Sequence, residues 1–498
     1  MKISLISPYP DLCSLGIRLL SSCLKRAGHQ TRLLFLPDPA GDRVPHGKPR
    51  YSEELLSQTL SLVRDTHVVG ITVMTPYFEG AVQITSHLRR EYKGPILWGG
   101  IHPTIRPEES LQYADWVCVG EGEGAFLDVA SAVKTGTKPR GVPNIWMKEG
   151  DRILRTELRA LVDDLDCLPQ PDYSMEDHHV SFEGRMVELD HSRMEKILGQ
   201  ATVSHRLGRV GYQTMTSRGC PHKCTYCVND GIHRLYGVGK TLRWRSVPHV
   251  MEELLWVRQN MPYVDFIWFS DDDFTSRKSE DLESFCRKYQ KEVGLPFSCL
   301  ISPLSVTEEK MEKLVDAGLV YVQMGVESSS ARIQSLFNRK AMTNERILRA
   351  MRIVNRFKDR MAEPSYDFLI DVPGERKEDL VQSLRFIAGM PKPYRLQVFS
   401  LVPYPGTGMY ELALKEGRIQ DERRDIYNRT WPMHRLTYLN LVMILAKGGR
   451  MPSWLLRALI LPWVVRVLAS DPLRPVVQLL YGTARGIVRK LKRKASRA

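Results

Sequence analysis

Short apolar runs alternate with helix-patterned stretches twice along this chain, and that alternation constrains the fold more than any other feature. The first series of runs lies at 2–7, 31–36, 68–73, 96–100 and 116–120, with helical spacing over 15–27, 51–64 and 81–90. The second lies at 213–216, 264–269, 297–302, 320–328, 366–371 and 395–402, separated by helical stretches at 250–259, 280–292, 308–317, 344–357 and 377–389. Strands and helices alternating at this spacing predict parallel sheets covered by helices. The fold class read from the sequence is therefore α/β. An N-terminal doubly wound parallel sheet precedes a partial (β/α)6 barrel of the TIM type, and a helical extension closes the chain. In both architectures ligands gather beyond the carboxyl ends of the strands.

Those ends carry the unusual residues. In the first series they are Gly99-Gly100-Ile101-His102-Pro103-Thr104 and Gly120-Glu121-Gly122-Glu123-Gly124, where glycine lets backbone amides approach a large polar ligand. In the second series the first strand runs into Ser217-Arg218-Gly219-Cys220-Pro221-His222-Lys223-Cys224-Thr225-Tyr226-Cys227. Later strands end in Ser270-Asp271-Asp272-Asp273, Gly325-Val326-Glu327-Ser328, Asp371-Val372-Pro373-Gly374-Glu375 and Pro403-Tyr404-Pro405-Gly406-Thr407. Three thiolates in one short loop hold three irons of a cubane cluster and leave a fourth iron open for chemistry. The alternative is zinc, closed by His222, His233 or Cys286. No second Cys-x-x-Cys pair follows, and the loop sits after a barrel strand, so the cluster is preferred.

Nine cysteines in 498 residues are no disulfide framework, and only Cys220, Cys224 and Cys227 cluster, which places the chain in a reducing, cytoplasmic setting. The apolar start Met1-Lys2-Ile3-Ser4-Leu5-Ile6 is too short for a signal peptide. The net charge of +14 is concentrated at the end. From Lys447 onward there are 12 Lys/Arg and one acid, Asp471. There Trp454 to Leu468 is apolar but interrupted by Arg457, Pro462 and Arg466, and too short to span a bilayer. Val476 to Tyr481 and a cluster from Arg485 to Arg497 follow. An apolar face with tryptophans and dense positive charge describes peripheral contact of 451–498 with an anionic membrane, on the inner face of the cell membrane, rather than nucleic-acid binding; the alternative is that these helices cap the barrel and the last 15 residues are a solvated basic end.

The paired loops Gly-Gly-x-His-Pro-Thr and Gly-Glu-Gly-Glu, followed by Cys-x-x-x-Cys-x-aromatic-Cys, resemble the cobalamin-dependent (B12-binding) radical SAM enzymes. The first part of the resemblance covers about 2–135 and the second about 212–407. It implies a cobalamin-binding domain at 1–135, a linker at 136–211, a radical SAM domain at 212–430 and the basic helical extension at 431–498. Cys220, Cys224 and Cys227 are then the ligands of a [4Fe-4S] cluster, and Gly99, Gly100, His102, Gly120, Glu121 and Gly122 belong to the cobalamin site. S-adenosyl-L-methionine is met by Tyr226, Asp271, Asp272, Gly325, Glu327, Ser328, Pro405 and Gly406. The implied chemistry is reductive cleavage of SAM to a 5′-deoxyadenosyl radical, hydrogen abstraction from substrate and methyl transfer from methylcobalamin, with an electron donor such as flavodoxin or ferredoxin. No catalytic acid or base is assigned.

Alternatives within the resemblance are ring formation or rearrangement, and outside it a non-catalytic cobalamin-binding regulator. A hydrophobic small molecule, such as a lipid or isoprenoid, is the expected substrate. Two departures from the family pattern are Ser302-Pro303, where a basic residue is common, and Asp371, where glycine is common. Asp65-Thr66-His67-Val68-Val69-Gly70 matches the signature of a cobalt-ligating histidine but precedes the third strand, at the wrong edge of the sheet, and His67 is read as an exposed loop residue. His178-His179 is read as part of an irregular, solvated linker.

Overall fold

The computed structural model describes residues 1–9, 12–37, 49–237, 239, 241–429, 435–470, 475 and 479. The first sheet is built from β1 (Lys2–Ser7), β2 (Gln30–Phe35), β3 (Val68–Thr72), β4 (Ile96–Gly99) and β5 (Trp116–Cys118), all parallel, in the order β5-β4-β3-β1-β2. The order reverses between β1 and β3, and in such sheets the crevice beyond the strand ends at that reversal is the binding position. Helices cover both faces, so the strands read as continuous apolar runs rather than alternating ones. Leu5, Leu33 and Phe126 belong to the core on one face, and Leu34, Ile71, Phe78 and Trp98 to the core on the other.

The segment read as a linker is part of this sheet. β6 (Ile145–Glu149) and β7 (Arg152–Leu154) add an antiparallel hairpin beside β5, while β8 (His178–Phe182) lies parallel to β2 and carries β9 (Arg185–Glu188), giving nine strands. The linker is also tied to the first helix, Leu15–Arg26. Arg18 is fully buried, donates to the carbonyls of Leu12 and Asp172, and lies over the Tyr173 ring at 3.8 Å. His178 is buried on β8 with Nε2 3.3 Å from Asp172, whose carboxylate also meets Lys25 at 2.9 Å. The reading of His178-His179 as solvated is thus corrected: pairing with β2 turns the first histidine inward, toward a carboxylate.

The second sheet runs β10 (Gly211–Thr214), β13 (Phe266–Phe269), β14 (Phe297–Ile301), β15 (Leu319–Glu327), β16 (Ser365–Ile370) and β17 (Arg395–Ser400), every neighbour parallel, as the six β/α units predict. Between β10 and β13 a two-residue ladder joins β11 (Ser217–Arg218) to β12 (Arg243–Trp244). It closes the cysteine-bearing stretch into a loop. After the barrel, the helix Tyr438–Ala446 packs beside Lys377–Ile387. The apolar segment beyond it forms two seven-residue helices, Ser453–Leu459 and Pro462–Leu468, rather than one, because Pro462 starts a new helix. The apolar run at Val476 and the basic cluster from Arg485 lie outside the described residues.

Candidate functional site

A cavity of about 400 Å³ opens at the carboxyl ends of the first sheet, a volume in the range of ligand pockets. Its floor is Leu5, Gly70, Thr72 and Leu97, and its rim includes Gly99, Gly100, Gly120, Glu121 and Gly122. The opposite wall comes from the linker (Leu165, Leu168, Pro169) and from the barrel (Thr214, Met215, Ser217, Arg218). Apolar side chains and glycine backbones dominate, the lining a broad, methyl-rich macrocycle would meet. At Gly16, also on the wall, an added Cβ would meet nothing within 4 Å, so this side is open to a ligand.

His102 does not reach the cavity. It is buried, with Nδ1 3.1 Å from Thr75 Oγ1, and its ring lies 4.6 Å from Phe78 and 5.3 Å from Tyr427. It shapes the loop and joins the first sheet to the segment after the barrel. His67 is exposed beside Lys2, at the amino ends of the strands and far from this rim in the sheet.

The cysteine loop begins two residues after Arg218. Cys220 and Cys224 are buried and Cys227 partly so. Burial pushes the Cys227 thiol up to about 12 and Cys220 higher still, and the neighbouring cysteines add to both shifts. Free thiols here hold their protons until a metal displaces them. Each sulfur has a donor: the His222 backbone at Cys220, Asn229 at Cys227, and Arg339 Nη1 at 3.6 Å from Cys224 Sγ. That donor set suits electron-rich cluster thiolates.

Among the described residues, no three His, Cys, Asp or Glu side chains gather closely enough to hold a single metal ion. The fourth ligands offered for zinc are otherwise engaged. His222 meets Asp273 at 3.3 Å, His233 lies between the His222 carbonyl and Thr241 at 3.2 Å each, and Cys286 is in the core.

Around the loop the structure gathers Tyr226, Glu327 and Gly325 through one residue the sequence reading missed, Arg339. The guanidinium donates to Tyr226 Oη at 3.2 Å and to the Gly325 carbonyl at 2.7 Å, and Tyr226 donates to Glu327 Oε1 at 3.1 Å. Burial raises the Glu327 carboxyl, with Arg339 and Tyr226 opposing. Glu327 has φ +67°, at a register shift between β15 and β16, which turns its side chain off the ladder. Across that ladder from Gly325 stands Asp367, which accepts from Gln323 Nε2 at 2.7 Å. Its carboxyl is pushed up to about 8 by burial and by the charge of Glu327.

The other residues read at the SAM site have protein partners of their own. Asp271 is fully buried and accepts from the Thr216 amide and hydroxyl and from Ser217 Oγ at 2.5–2.9 Å, bracing β10 against β13. Ser328 caps its own turn by accepting from Ser330 N. Asp272 remains beside the loop, held by Asn229 Nδ2 at 3.0 Å; the surrounding protein and then Asp271 and Asp273 raise its carboxyl. Pro405 and Gly406 stand in the loop after β17, where the Gly406 carbonyl accepts from Arg234 at 3.1 Å. Ser302 is used by its own loop, accepting from Ser305 N and Val306 N. Asp371 has φ +61°, the left-handed conformation that explains glycine at this place; aspartate tolerates it. Its carboxylate accepts from Asn440 Nδ2, Ser400 Oγ and the Arg435 amide, so it holds the C-terminal helices.

Two family models match the chain: the B12 binding domain over residues 1–130 and the Radical SAM superfamily over 214–387. An uncharacterized methyltransferase of Pyrococcus horikoshii is 25% identical over 70% of this chain and 70% of its own length. The bacteriochlorophyllide d C-8(2)-methyltransferase of Chlorobaculum tepidum is 24% identical over 73% and 72%. Among solved structures, the radical S-adenosylmethionine methyltransferase TsrM from Kitasatospora setae, with cobalamin and a [4Fe-4S] cluster bound, aligns with a TM-score of 0.63 at 17% identity, over 84% of this chain and 78% of that one. A glycine-rimmed cavity at the strand ends of one sheet, three donor-braced cysteines after the first strand of a six-stranded parallel barrel, and both family models in that order lead to one conclusion. The chain belongs to the cobalamin-dependent radical SAM enzymes, whose cofactors are cobalamin, a [4Fe-4S] cluster and S-adenosyl-L-methionine.

Proposed function

We propose that the chain transfers a methyl group to an unactivated carbon of a hydrophobic small molecule. One observation carries this reading: the cavity at the glycine loops is walled by Thr214, Met215, Ser217 and Arg218, the residues leading directly into the cysteine loop. The cavity wall thus continues into the segment that carries the cysteines, which supports the adjacency of sites that methyl transfer to a substrate radical requires. The methyltransferase names of the relatives support it. When bound, the cofactors supply the radical and the methyl group. The chain's residues do the rest: Cys220, Cys224 and Cys227 hold the cluster, and Arg339, Tyr226 and Glu327 brace its loop to β15. Leu5, Gly70, Leu97 and the linker prolines exclude water around the corrinoid.

The test is anaerobic reconstitution, reduction and incubation with methyl-deuterated SAM in the presence of a lipid extract. Deuterated methyl in the extract, together with 5′-deoxyadenosine that disappears in Cys224→Ala, supports the reading. Cleavage of SAM with label nowhere but in cobalamin refutes methylation and favours ring formation or rearrangement. Absence of cleavage in the loaded protein favours a regulator.

The hydrophobic substrate is supported by the C-terminal helices. Trp454 and Trp463 are 70% and 67% exposed, and Leu461 and Val467 are also exposed. Arg450, Arg457 and Arg466 lie among them with no acid between residues 447 and 470. No helix among the described residues is long and apolar enough to cross a membrane. Such a surface rests on an anionic leaflet, where tryptophan sits at the headgroups. Flotation with phosphatidylglycerol vesicles tests it: binding undiminished by removal of 451–498 overturns the membrane reading.

A further inference from the structure

We propose that the Gly120–Glu123 loop is a bracket that fixes the cysteine loop against the corrinoid sheet. Glu121 and Glu123 then act as positioning residues and not as ligands of the corrinoid. Arg218 donates from Nη1 to Glu121 Oε1 at 2.8 Å and from Nη2 to Glu123 Oε1 at 2.5 Å. Arg243 donates to both oxygens of Glu121, at 2.8 and 3.1 Å, and the Val162 amide adds a further bond at 3.0 Å. The Glu121 carboxylate is thus engaged on both oxygens by chain groups. Arg218 and Arg243 are ladder partners on β11 and β12, so one carboxylate grips both ends of the closed stretch that contains all three cysteines.

The interior of that stretch is docked on the same loop. An added Cβ at Gly120, whose φ is +89°, would lie 1.8 Å from Tyr236 Oη, at the end of the helix Val228–Tyr236 that follows Cys227. Only glycine allows this approach. Burial opposes charge on both sides of the bracket. The guanidiniums nevertheless hold the Glu121 carboxyl below its ordinary range, and the two carboxylates hold Arg218 raised. Paired, hydrogen-bonded charges of this kind are sensitive to loss of one partner. The Glu-x-Glu spacing then has a mechanical purpose: the loop ties the rim of the corrinoid cavity to the segment that carries the cysteines, and would set the separation of the two sites. That consequence rests on the proposed function, whereas the bracket itself is measurable without cofactors.

The experiment uses the full chain free of cofactors and compares it with the double variant Glu121→Gln/Glu123→Gln. Amide hydrogen exchange across residues 217–236 is expected to quicken by about tenfold or more, the loss of a buried charge-assisted contact. Hydroxocobalamin affinity, titrated by absorbance, is expected to fall only together with the quickened exchange, because Glu121 also stands on the rim of the corrinoid cavity. If the double variant does not fold, Arg218→Lys, which keeps the charge and loses the fork, is expected to quicken exchange in the same segment. After reconstitution, the magnetic interaction between reduced cluster and cob(II)alamin should weaken in either variant. Unchanged exchange in 217–236 overturns the proposal. So does loss of hydroxocobalamin binding with protection intact, which would make the two glutamates corrinoid ligands.

Discussion

Gly219 precedes the first cluster cysteine and has φ +83°, with an added Cβ falling 2.3 Å from the Thr241 carbonyl oxygen and 2.5 Å from its carbon. Gly219→Ala therefore carries two costs. Left-handed backbone in a non-glycine residue costs about 1–2 kcal/mol. The Thr241 backbone must also retreat by roughly 1 Å to restore ordinary contact, and being main chain it cannot swing aside. That retreat strains the Ser217↔Trp244 and Arg218↔Arg243 pairing and the Arg245 N–H to Thr216 carbonyl bond, at about 1 kcal/mol for each hydrogen bond lost. The total is about 3–5 kcal/mol, concentrated on the cysteine loop.

Gly28→Ala is the control, because Gly28 has φ +81° and nothing within 4 Å of its Cβ, so it carries the backbone strain alone. Limited proteolysis within 217–245 reads the local opening, since cleavage tracks the population of open loop. Gly219→Ala is expected to be cut about 30-fold faster or more, following from a difference of about 2 kcal/mol, and to take up less than half the iron of the parent. Gly28→Ala should match the parent in both. Equal behaviour of the two variants refutes the argument that main-chain crowding at Thr241 enforces glycine here.

Asp367 gives a pH signature. Its carboxyl is pushed up to about 8, so the folded chain binds a proton that the unfolded chain releases near pH 4. Its contribution is complete below that range and falls by about 1.4 kcal/mol per pH unit as pH rises toward 8; Asp367→Asn should flatten this slope in urea denaturation of the cofactor-free chain, and an unchanged slope refutes it. Arg339→Met strips Glu327, Tyr226 and the Gly325 carbonyl of their shared cation and is expected to cost about 3–5 kcal/mol; a urea midpoint equal to the parent's refutes that role. Asp371→Gly and Asp371→Ala lose the same three hydrogen bonds, but only alanine adds strain at φ +61°, so alanine should melt lower by about 1 kcal/mol in equivalent stability. Glycine melting as low as alanine refutes that account.

Periodicity exposed the two sheets because buried parallel strands leave long apolar runs, and 68–73 or 366–371 need no partner to be recognised. The cysteine loop was legible for a different reason: its ligands are adjacent in sequence. Arg339 was not, since it reaches Cys224 and Tyr226 from a turn after β15, and nothing in its local sequence separates it from a surface arginine. The acids of Gly120–Gly124 were legible as a motif but not in their partners, which stand at Arg218 and Arg243. The strands in 136–211 were missed because prolines and acidic runs break their pattern. β6 to β9 form the two margins of the sheet, with β7 and β9 as its edge strands, and their half-exposed faces carry less apolar signal.

Those marginal strands bear on how the molecule is made. β2 and β5 would each present an open row of amides and carbonyls, and they are covered by β8 and β6, which follow later in the chain. On the ribosome, the β2 edge therefore stays unpaired until β8, which ends at Phe182, has emerged. A fragment cut at 135 would keep both edges unpaired and invite strand-to-strand aggregation. The smallest N-terminal piece with both of these edges paired is one that carries β8.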